Sequence, residues 1–246
     1  MTDHPILFSG PMVRALLEGR KTQTRRIVSP QNLKFFNPET GNLESSQRMI
    51  ERAFSYVRNL RMLEAGGWNW QAEALGGDPF AYSRWQARSK VLVGDILWGR
   101  ETWAVSTIYD GCRADKINPD RIPLFCGIRY AATDARLGIK DRPSIHMPRW
   151  ASRLTLTVTE VRLQRLQYIT KRDAIAEGVQ FDEGFNGYTV ESGTHYHPDD
   201  PRQSYRSLWS AINGDEGPKS WDANPWVLAY SFDVRYGNID KEGGAS

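Results

Sequence analysis

The sequence is poor in the residues on which disulfide-rich and metal-binding proteins depend. It has only two cysteines, Cys112 and Cys126, and four histidines in 246 residues. Two cysteines make neither a disulfide framework nor a four-ligand zinc site, so we expect two reduced thiols. His195 and His197 would share one face of a strand, but no third ligand stands at a useful spacing from them. We therefore expect no metal and no other cofactor.

The chain also lacks a long apolar run and a strong excess of one charge. No segment stays apolar over the about 20 residues that cross a bilayer, and residues 1–5 do not resemble the basic start of a signal peptide. These absences predict a cytoplasmic protein with no membrane partner. The 32 basic and 29 acidic residues leave a net charge of +3, so any contact with nucleic acid is expected to be local.

What the sequence does contain is a dense polar motif near its beginning. The first residues predict a short strand and then a helix, because Pro11 suits a first helical turn and Gly19 is placed to end the helix. A second strand follows, and its polar side chains are Lys21, Thr24, Arg25 and Arg26. Such a strand either lines a cleft for a polar, anionic ligand or forms a solvated edge of a sheet.

The remainder of the chain predicts an α+β fold. Strand patterns occur at residues 91–105, 128–132, 153–161 and 226–236, and helix patterns begin at Thr170, which forms a capping-box pattern with Asp173, and after Asp200. This order favours a small mixed β-barrel surrounded by helices, in a single domain over residues 1–240. Within that domain we expect an insertion and two loop excursions, followed by a disordered tail: residues 31–90, 106–127, 180–200 and 241–246, respectively.

The predicted insertion has two open interpretations. Helical spacing predicts a helix whose apolar face consists of Ile50, Ala53, Phe54, Val57 and Leu60. Aromatic residues then alternate with basic residues between positions 68 and 90. The aromatic side chains either pack this helix onto the core or stack on the bases of a single-stranded nucleic acid.

Five segments of the chain together resemble the ASCH family. They are residues 11–26, with the run Gly-Arg-Lys-Thr-Gln-Thr-Arg-Arg from position 19, and residues 93–103, 144–153, 169–179 and 224–230. The combination is similar to the longer ASCH proteins found in phages and prophages. The resemblance implies a β-barrel related to the PUA RNA-binding domains, elaborated by helical and loop insertions. It also implies an association with RNA.

The same resemblance implies a set of catalytic residues. A small bacterial ASCH protein is an amidohydrolase that removes the acetyl group of N(4)-acetylcytidine. By motif, its active lysine and threonine correspond to Lys21 and Thr24, and its glutamate corresponds to Glu177. In that reading Thr24 is the nucleophile, Lys21 takes the proton of its hydroxyl, and Glu177 protonates the leaving amine or orients the lysine.

Six further residues are candidates for substrate binding: Arg25, Arg26, Trp98, Arg100, Glu101 and His146. Arg26 would hold a carbonyl oxygen or a phosphate. The charges beside Trp98 suggest a strand end that faces a pocket or, alternatively, a buried ion pair. The expected ligand is RNA or a modified cytidine nucleoside or nucleotide. Two alternatives to the amidohydrolase remain at this point, a non-catalytic module that binds RNA or a modified base and, with less support, a ribonuclease.

Overall fold

The computed structural model describes residues 2–28, 91–122, 127–135, 138–191 and 194–241, together with the backbone of five short strands between residues 33 and 87. The chain divides into two compact units. Unit 1 comprises Met1–Thr22, Val93–Val158 and Phe232–Ser246, and unit 2 comprises Gln23–Leu92 and Thr159–Ser231. Within the described residues, no helix combines the length and the apolar character that crossing a membrane requires.

The elements are named in chain order. The strands are β1 Asp3–Leu7, β2 Gln23–Ile27, β3 Leu33–Asn37, β4 Asn42–Glu44, β5 Leu60–Met62, β6 Trp70–Ala72, β7 Trp85–Ala87, β8 Ile96–Arg100, β9 Trp103–Val105, β10 Ile128–Tyr130, β11 Leu154–Arg165, β12 Gln180–Asp182, β13 Gly187–Thr189 and β14 Trp226–Tyr236. The α-helices are α1 Gly10–Leu17, α2 Lys171–Ala176 and α3 Pro201–Asn213. Short 3-10 turns lie at Thr107–Tyr109, Ala114–Lys116, Pro119–Arg121, Ser144–His146, Arg149–Ala151 and Leu166–Tyr168. The predicted α+β class is confirmed.

Helix α1 of unit 1 forms where the sequence predicts it. Pro11 lies in its first turn, where a missing N–H costs no helical hydrogen bond. The apolar face is buried and consists of Met12, Val13, Ala15 and Leu16. Gly19 has a φ of 71°, a left-handed conformation that turns the chain out of the helix at no steric cost. The chain therefore reverses at once into the polar segment that begins with Lys21.

Unit 1 is built on strands β1, β8 and the first part of β11. β1 runs parallel to β8, with Leu7 opposite Arg100, and β8 runs antiparallel to β11, with Trp98 opposite Thr155. The hairpin of β9 and β10 adds a core cluster of Trp103, Val105, Ile117, Met147 and Ala151. This packing fixes the backbone on both sides of Arg100 and Glu101.

Unit 2 places α2 against strand β2 and against helix α3. β2 pairs antiparallel with β14, so that Gln23 lies opposite Ser231 and Thr24 lies opposite Tyr230. Because directly opposed residues share a face, Gln23 and Arg25 belong to one face of the pair, whereas Thr24 belongs to the other. α3 begins at its Asp200 cap and buries an apolar stripe of Tyr205, Leu208 and Trp209.

Two segments that were predicted as a loop and as a helical insertion contain strands instead. Residues 180–200 were expected to form a loop, but β12 and β13 form a hairpin there, with Gln180 opposite Thr189. The described parts of residues 31–90 are also strands, and β5 pairs with β11 through Leu60 and Leu163. The predicted helix therefore does not include Leu60, and its other apolar members lie outside the described residues. Pairing between strands, which the periodicity of a single segment does not register, decides both segments, locally for β12 and β13 and over long range for β5 and β11.

Three further predictions concern the segment 106–127, the C-terminal tail and the number of domains. The described part of residues 106–127 is irregular apart from its 3-10 turns. The predicted tail lies outside the described residues from position 242 onward. A single domain over residues 1–240 stays a prediction.

A close backbone approach at Gly187 gives a test of the β12–β13 hairpin. A Cβ atom at this position would collide with the ring of Tyr196 and lie 3.0 Å from the carbonyl oxygen of His197 and from Cα of Pro198. Since two of these neighbours are backbone, Gly187→Ala should lower the free energy of unfolding by about 1–3 kcal/mol. Urea unfolding measures this change. The control is Gly111→Ala, which meets nothing within 4 Å and should change the stability little.

Candidate functional site

Arg25 is the centre of a buried polar network in unit 2. Only 2% of the residue is exposed. Its Nη1 donates to Oε1 of Glu177 at 2.9 Å and to Oε1 of Gln23 at 2.7 Å. Its Nη2 pairs with Oδ2 of Asp173 at 3.2 Å. Asp173 and Glu177 are four residues apart and therefore share a face of α2, so that one guanidinium joins strand β2 to both ends of this short helix.

Further contacts close this network into a ring. Nη2 of Arg162 donates to Oδ1 of Asp173 at 2.7 Å, and its Nε lies 3.3 Å from Oε2 of Glu160. Ser231 donates to the same oxygen of Glu160 at 3.3 Å and accepts from Nε2 of Gln23 at 3.1 Å. We call this circuit the polar ring, and its members are Gln23, Arg25, Asp173, Arg162, Glu160 and Ser231.

Asp173 is the carboxylate of the polar ring that contacts both of its arginines. Burial by itself would raise the pKa of Asp173. The hydrogen bond from Arg162, the charge of Arg25 and the bond from the Thr170 N–H outweigh burial and bring the pKa down to about 2. Asp173 is therefore a fixed negative charge at neutral pH, and it offsets part of the charge of the two arginines that it contacts.

Arg26 and two tyrosines extend the site around Glu177. Burial lowers the pKa of Arg26, and the charge of Glu177 and the hydroxyl groups of Tyr205 and Tyr230 oppose that shift. Burial raises the pKa of Tyr205 well above its ordinary value, and the ring of Tyr205 lies 5.9 Å from the guanidinium carbon of Arg25. The surroundings of Glu177 thus combine cationic groups with the hydroxyl groups and rings of two tyrosines, a set that suits a planar polar ligand.

Thr24 supplies a buried hydroxyl group to the other face of β2. The residue is 1% exposed, and within the described residues its Oγ1 has no hydrogen-bond partner. A buried hydroxyl without a partner costs about 1–3 kcal/mol of stability. A polar group of a bound ligand would recover this cost.

The remaining predicted catalytic residue, Lys21, belongs to unit 1. Its residue exposure is 0%, and its backbone N–H donates to the carbonyl oxygen of Ala15 at 3.0 Å. Full burial of a lysine is uncommon, because the ammonium group loses its hydration. The catalytic role of Lys21 stays a prediction.

Of the predicted substrate-binding residues, Trp98, Arg100, Glu101 and His146 also belong to unit 1. The guanidinium carbon of Arg100 lies 4.9 Å from the centre of the Trp98 ring, its Nε donates to the carbonyl oxygen of Met147 at 2.9 Å, and burial lowers its pKa. His146 is exposed at the end of a 3-10 turn. Their role in binding stays a prediction.

Glu101 forms a buried ion pair. The sequence left open whether the charges beside Trp98 face a pocket or form such a pair. Arg153 donates to its two carboxylate oxygens from Nε and Nη2, at 2.8 and 2.9 Å. Burial raises the pKa of Glu101, and the hydrogen bond and the charge of Arg153 oppose this shift. Arg153 also lies over the ring of Tyr130, 4.0 Å from its centre. These contacts give Glu101 a structural role in unit 1.

The two histidines that resemble a metal pair have other neighbours. Nδ1 of His195 lies 2.8 Å from Oγ of Ser207, and burial lowers the pKa of His195. Nδ1 of His197 accepts from the backbone N–H of Asp200 at 3.1 Å. Among the residues that the structure describes, no group of three or more His, Cys, Asp or Glu side chains is arranged to hold a metal ion.

Sequence reasoning missed most of the polar ring. It recognised Asp173 only as a helix cap, and it did not consider Arg162, Glu160 or Ser231. The sequence contains one signal of this network. Asp173 and Glu177 have the i, i+4 spacing that places them on one face of a helix, and an arginine-rich strand occurs much earlier in the chain. No local pattern indicates which of the adjacent arginines would contact that face.

Replacing Arg25 tests the energetic importance of the network. Arg25→Met should lower the free energy of unfolding by about 3–5 kcal/mol, because it leaves two buried carboxylates without their shared cation. The control is Arg206→Met, which breaks an exposed ion pair with Asp222 and should cost less than about 1 kcal/mol. Chemical denaturation measures both changes, and equal effects would contradict the central position of Arg25.

The lowered pKa of Asp173 predicts how stability changes with pH. A carboxyl group whose pKa falls on folding stabilises the protein above its unfolded-state pKa, and this stabilisation is lost as the pH falls through the folded-state pKa. Wild type should exceed Asp173→Asn in unfolding free energy by about 1–2 kcal/mol at neutral pH. The difference should shrink between about pH 4 and pH 2. Urea unfolding at a series of pH values measures this difference, and a difference that does not depend on pH would contradict the assignment.

Unit 2 therefore contains a carboxylate held by Arg25, with Arg26 and two tyrosines around it, and a buried threonine hydroxyl on the other face of β2. Comparison of the chain with protein-family models, with curated proteins and with solved structures finds no match.

Proposed function

We propose that this chain is an ASCH-type protein that binds a modified cytidine nucleoside or nucleotide at Thr24 and hydrolyses its N(4)-acyl amide. The observation on which this proposal rests is the Thr24 hydroxyl, buried without a partner on the strand that also supplies Arg25 and Arg26. A nucleophile must be free to bond with its substrate and must be shielded from competing water. The Thr24 hydroxyl meets both requirements within the described residues.

The chemistry proceeds in two balanced steps. The Thr24 oxygen attacks the acyl carbonyl carbon, the C–N bond breaks, and cytidine leaves with its amine protonated. Water then hydrolyses the acyl-threonine ester, which releases the carboxylic acid and regenerates the hydroxyl. The resemblance gives the role of base to Lys21 and an auxiliary role to Glu177, and both assignments are part of this proposal.

The surroundings of Thr24 in unit 2 support a nucleoside-like ligand. Arg26 is half-buried, and Tyr230 lies opposite Thr24 in the sheet. An arginine stabilises the developing negative charge on a carbonyl oxygen, and aromatic rings stack on a base. The barrel architecture related to PUA domains is the part of the fold that would shape this site, and it belongs to the proposal as well.

A second candidate function has its own supporting observation. The Glu177 carboxylate is bonded to Arg25 at 2.9 Å, an arrangement that suits a fixed binding surface at least as well as proton transfer. The alternative is therefore a non-catalytic module that binds RNA or a modified base. Its affinity would depend on arginine contacts with phosphate and would fall as salt is raised, because such contacts release counterions.

Turnover of N(4)-acetylcytidine by threonine variants tests the proposal. Thr24→Ala should lower kcat by at least about 1000-fold, because it removes the nucleophile, while Thr24→Ser should retain measurable activity. The control is Thr22→Ala, since Thr22 is exposed two residues earlier and should leave kcat unchanged. Product release, measured by chromatography, gives each rate.

The same panel separates the two candidate functions. If wild type binds N(4)-acetylcytidine or RNA but no acylated cytidine is hydrolysed, the binding module replaces the enzyme. In that case Arg26→Met should weaken binding, and 200 mM salt should weaken wild-type RNA binding relative to 50 mM. Hydrolysis that persists undiminished in Thr24→Ala would remove Thr24 from the mechanism.

A further inference from the structure

The capping box of α2 makes more contacts than a helix cap requires. Thr170 Oγ1 accepts from the backbone N–H of Asp173 at 3.0 Å, and Asp173 Oδ2 accepts from the N–H of Thr170 at 3.2 Å. These two bonds complete the cap. The same carboxylate also accepts a hydrogen bond from Arg162 through Oδ1 and forms an ion pair with Nη2 of Arg25 through Oδ2, at 3.2 Å, so that it links the first turn of the helix to two strands.

The other end of α2 is held by the same arginine. Glu177 is the C-terminal cap residue of the helix, and its side chain is 2% exposed. Arg25 reaches Glu177 with Nη1 and Asp173 with Nη2. A guanidinium group is rigid and planar, so fixing one Nη fixes the direction in which the other donates.

We propose that Asp173 is a positioning residue whose charge, together with the hydrogen bond to Gln23, holds Arg25 in the orientation from which Nη1 donates to Glu177. Asp173 thereby orients the Glu177 carboxylate for the substrate of the proposed function, on which this inference rests. Arg162 supports the same arrangement, since its bond to Oδ1 keeps the Asp173 carboxylate from rotating. Asp173 itself acts through Arg25 and does not need to touch the substrate.

A pair of variants separates this role from simple capping. Asp173→Asn keeps an oxygen that can accept from the Thr170 N–H but loses the negative charge that holds Arg25. Thr170→Ala removes the hydroxyl acceptor of the cap and leaves every carboxylate contact in place. Thermal unfolding of both variants measures what each change costs the helix.

The kinetic test compares how much each variant changes kcat and how much it changes KM for the hydrolysis of N(4)-acetylcytidine. Asp173→Asn should lower kcat by about 10–100-fold, as loss of a supporting residue typically does, while KM changes by less than about 3-fold. Thr170→Ala should leave both constants close to wild type. Equal losses of kcat in the two variants would overturn the proposal in favour of a structural role.

A second readout does not depend on any activity. In ligand-free protein, hydrogen exchange of the Arg25 Nε–H, assigned by NMR with the help of Arg25→Lys, reports how often water reaches this buried guanidinium. Exchange should accelerate at least about 10-fold in Asp173→Asn and stay near the wild-type rate in Thr170→Ala. An unchanged rate in Asp173→Asn would overturn the proposal.

The design also covers two further outcomes, namely that Asp173→Asn does not fold and that wild type hydrolyses no acylated cytidine. If Asp173→Asn does not fold, Arg162→Lys, which keeps the charge but loses the second donor of the fork, should accelerate Arg25 exchange in the same direction, and no acceleration would overturn the proposal. If wild type hydrolyses no acylated cytidine, the proposed function fails, while the exchange comparison still decides whether Asp173 holds Arg25.

Discussion

The described part of unit 2 depends on the burial of one cation, the guanidinium of Arg25. Water would solvate this group far better than protein does, so its place inside the unit requires compensating bonds. Asp173, Glu177 and Gln23 provide them. Each partner is in turn held by a neighbour, and the position of helix α2 against strand β2 follows from this chain of requirements.

The elements that the sequence predicts correctly are those with local signals. Pro11 and Gly19 delimit α1, Thr170 and Asp173 cap the start of α2, and alternation of apolar and polar residues indicates β14. These signals act over a few residues, so single-sequence reasoning registers them. The hairpin between residues 180 and 189 depends instead on pairing across a short turn, and strand β5 depends on β11, a partner that is remote in sequence.

The sequence indicates which segments contribute to the candidate site, but it does not indicate which of their side chains contact one another. The polar strand and Glu177 were identified from motif and spacing, and the structure brings Glu177 to this strand across 152 positions. The partner of Glu177, however, is Arg25, because strand parity gives Gln23 and Arg25 one face of the β2–β14 pair and Thr24 the other. Which face meets the helix is settled by packing, which a sequence does not specify locally.

The order of the polar ring along the chain has a consequence for synthesis. Gln23 and Arg25 are the first members of the ring to be made, residues 93–158 of unit 1 follow, and Ser231 emerges more than two hundred positions after Gln23. Until Glu160 and Asp173 have been made, Arg25 has no acidic partner within the ring, so its guanidinium must remain hydrated while residues 93–158 are being made. A chain stalled before residue 159 would lack every acidic member of the ring, and chaperones would meet its strand β2 as an open, positively charged edge.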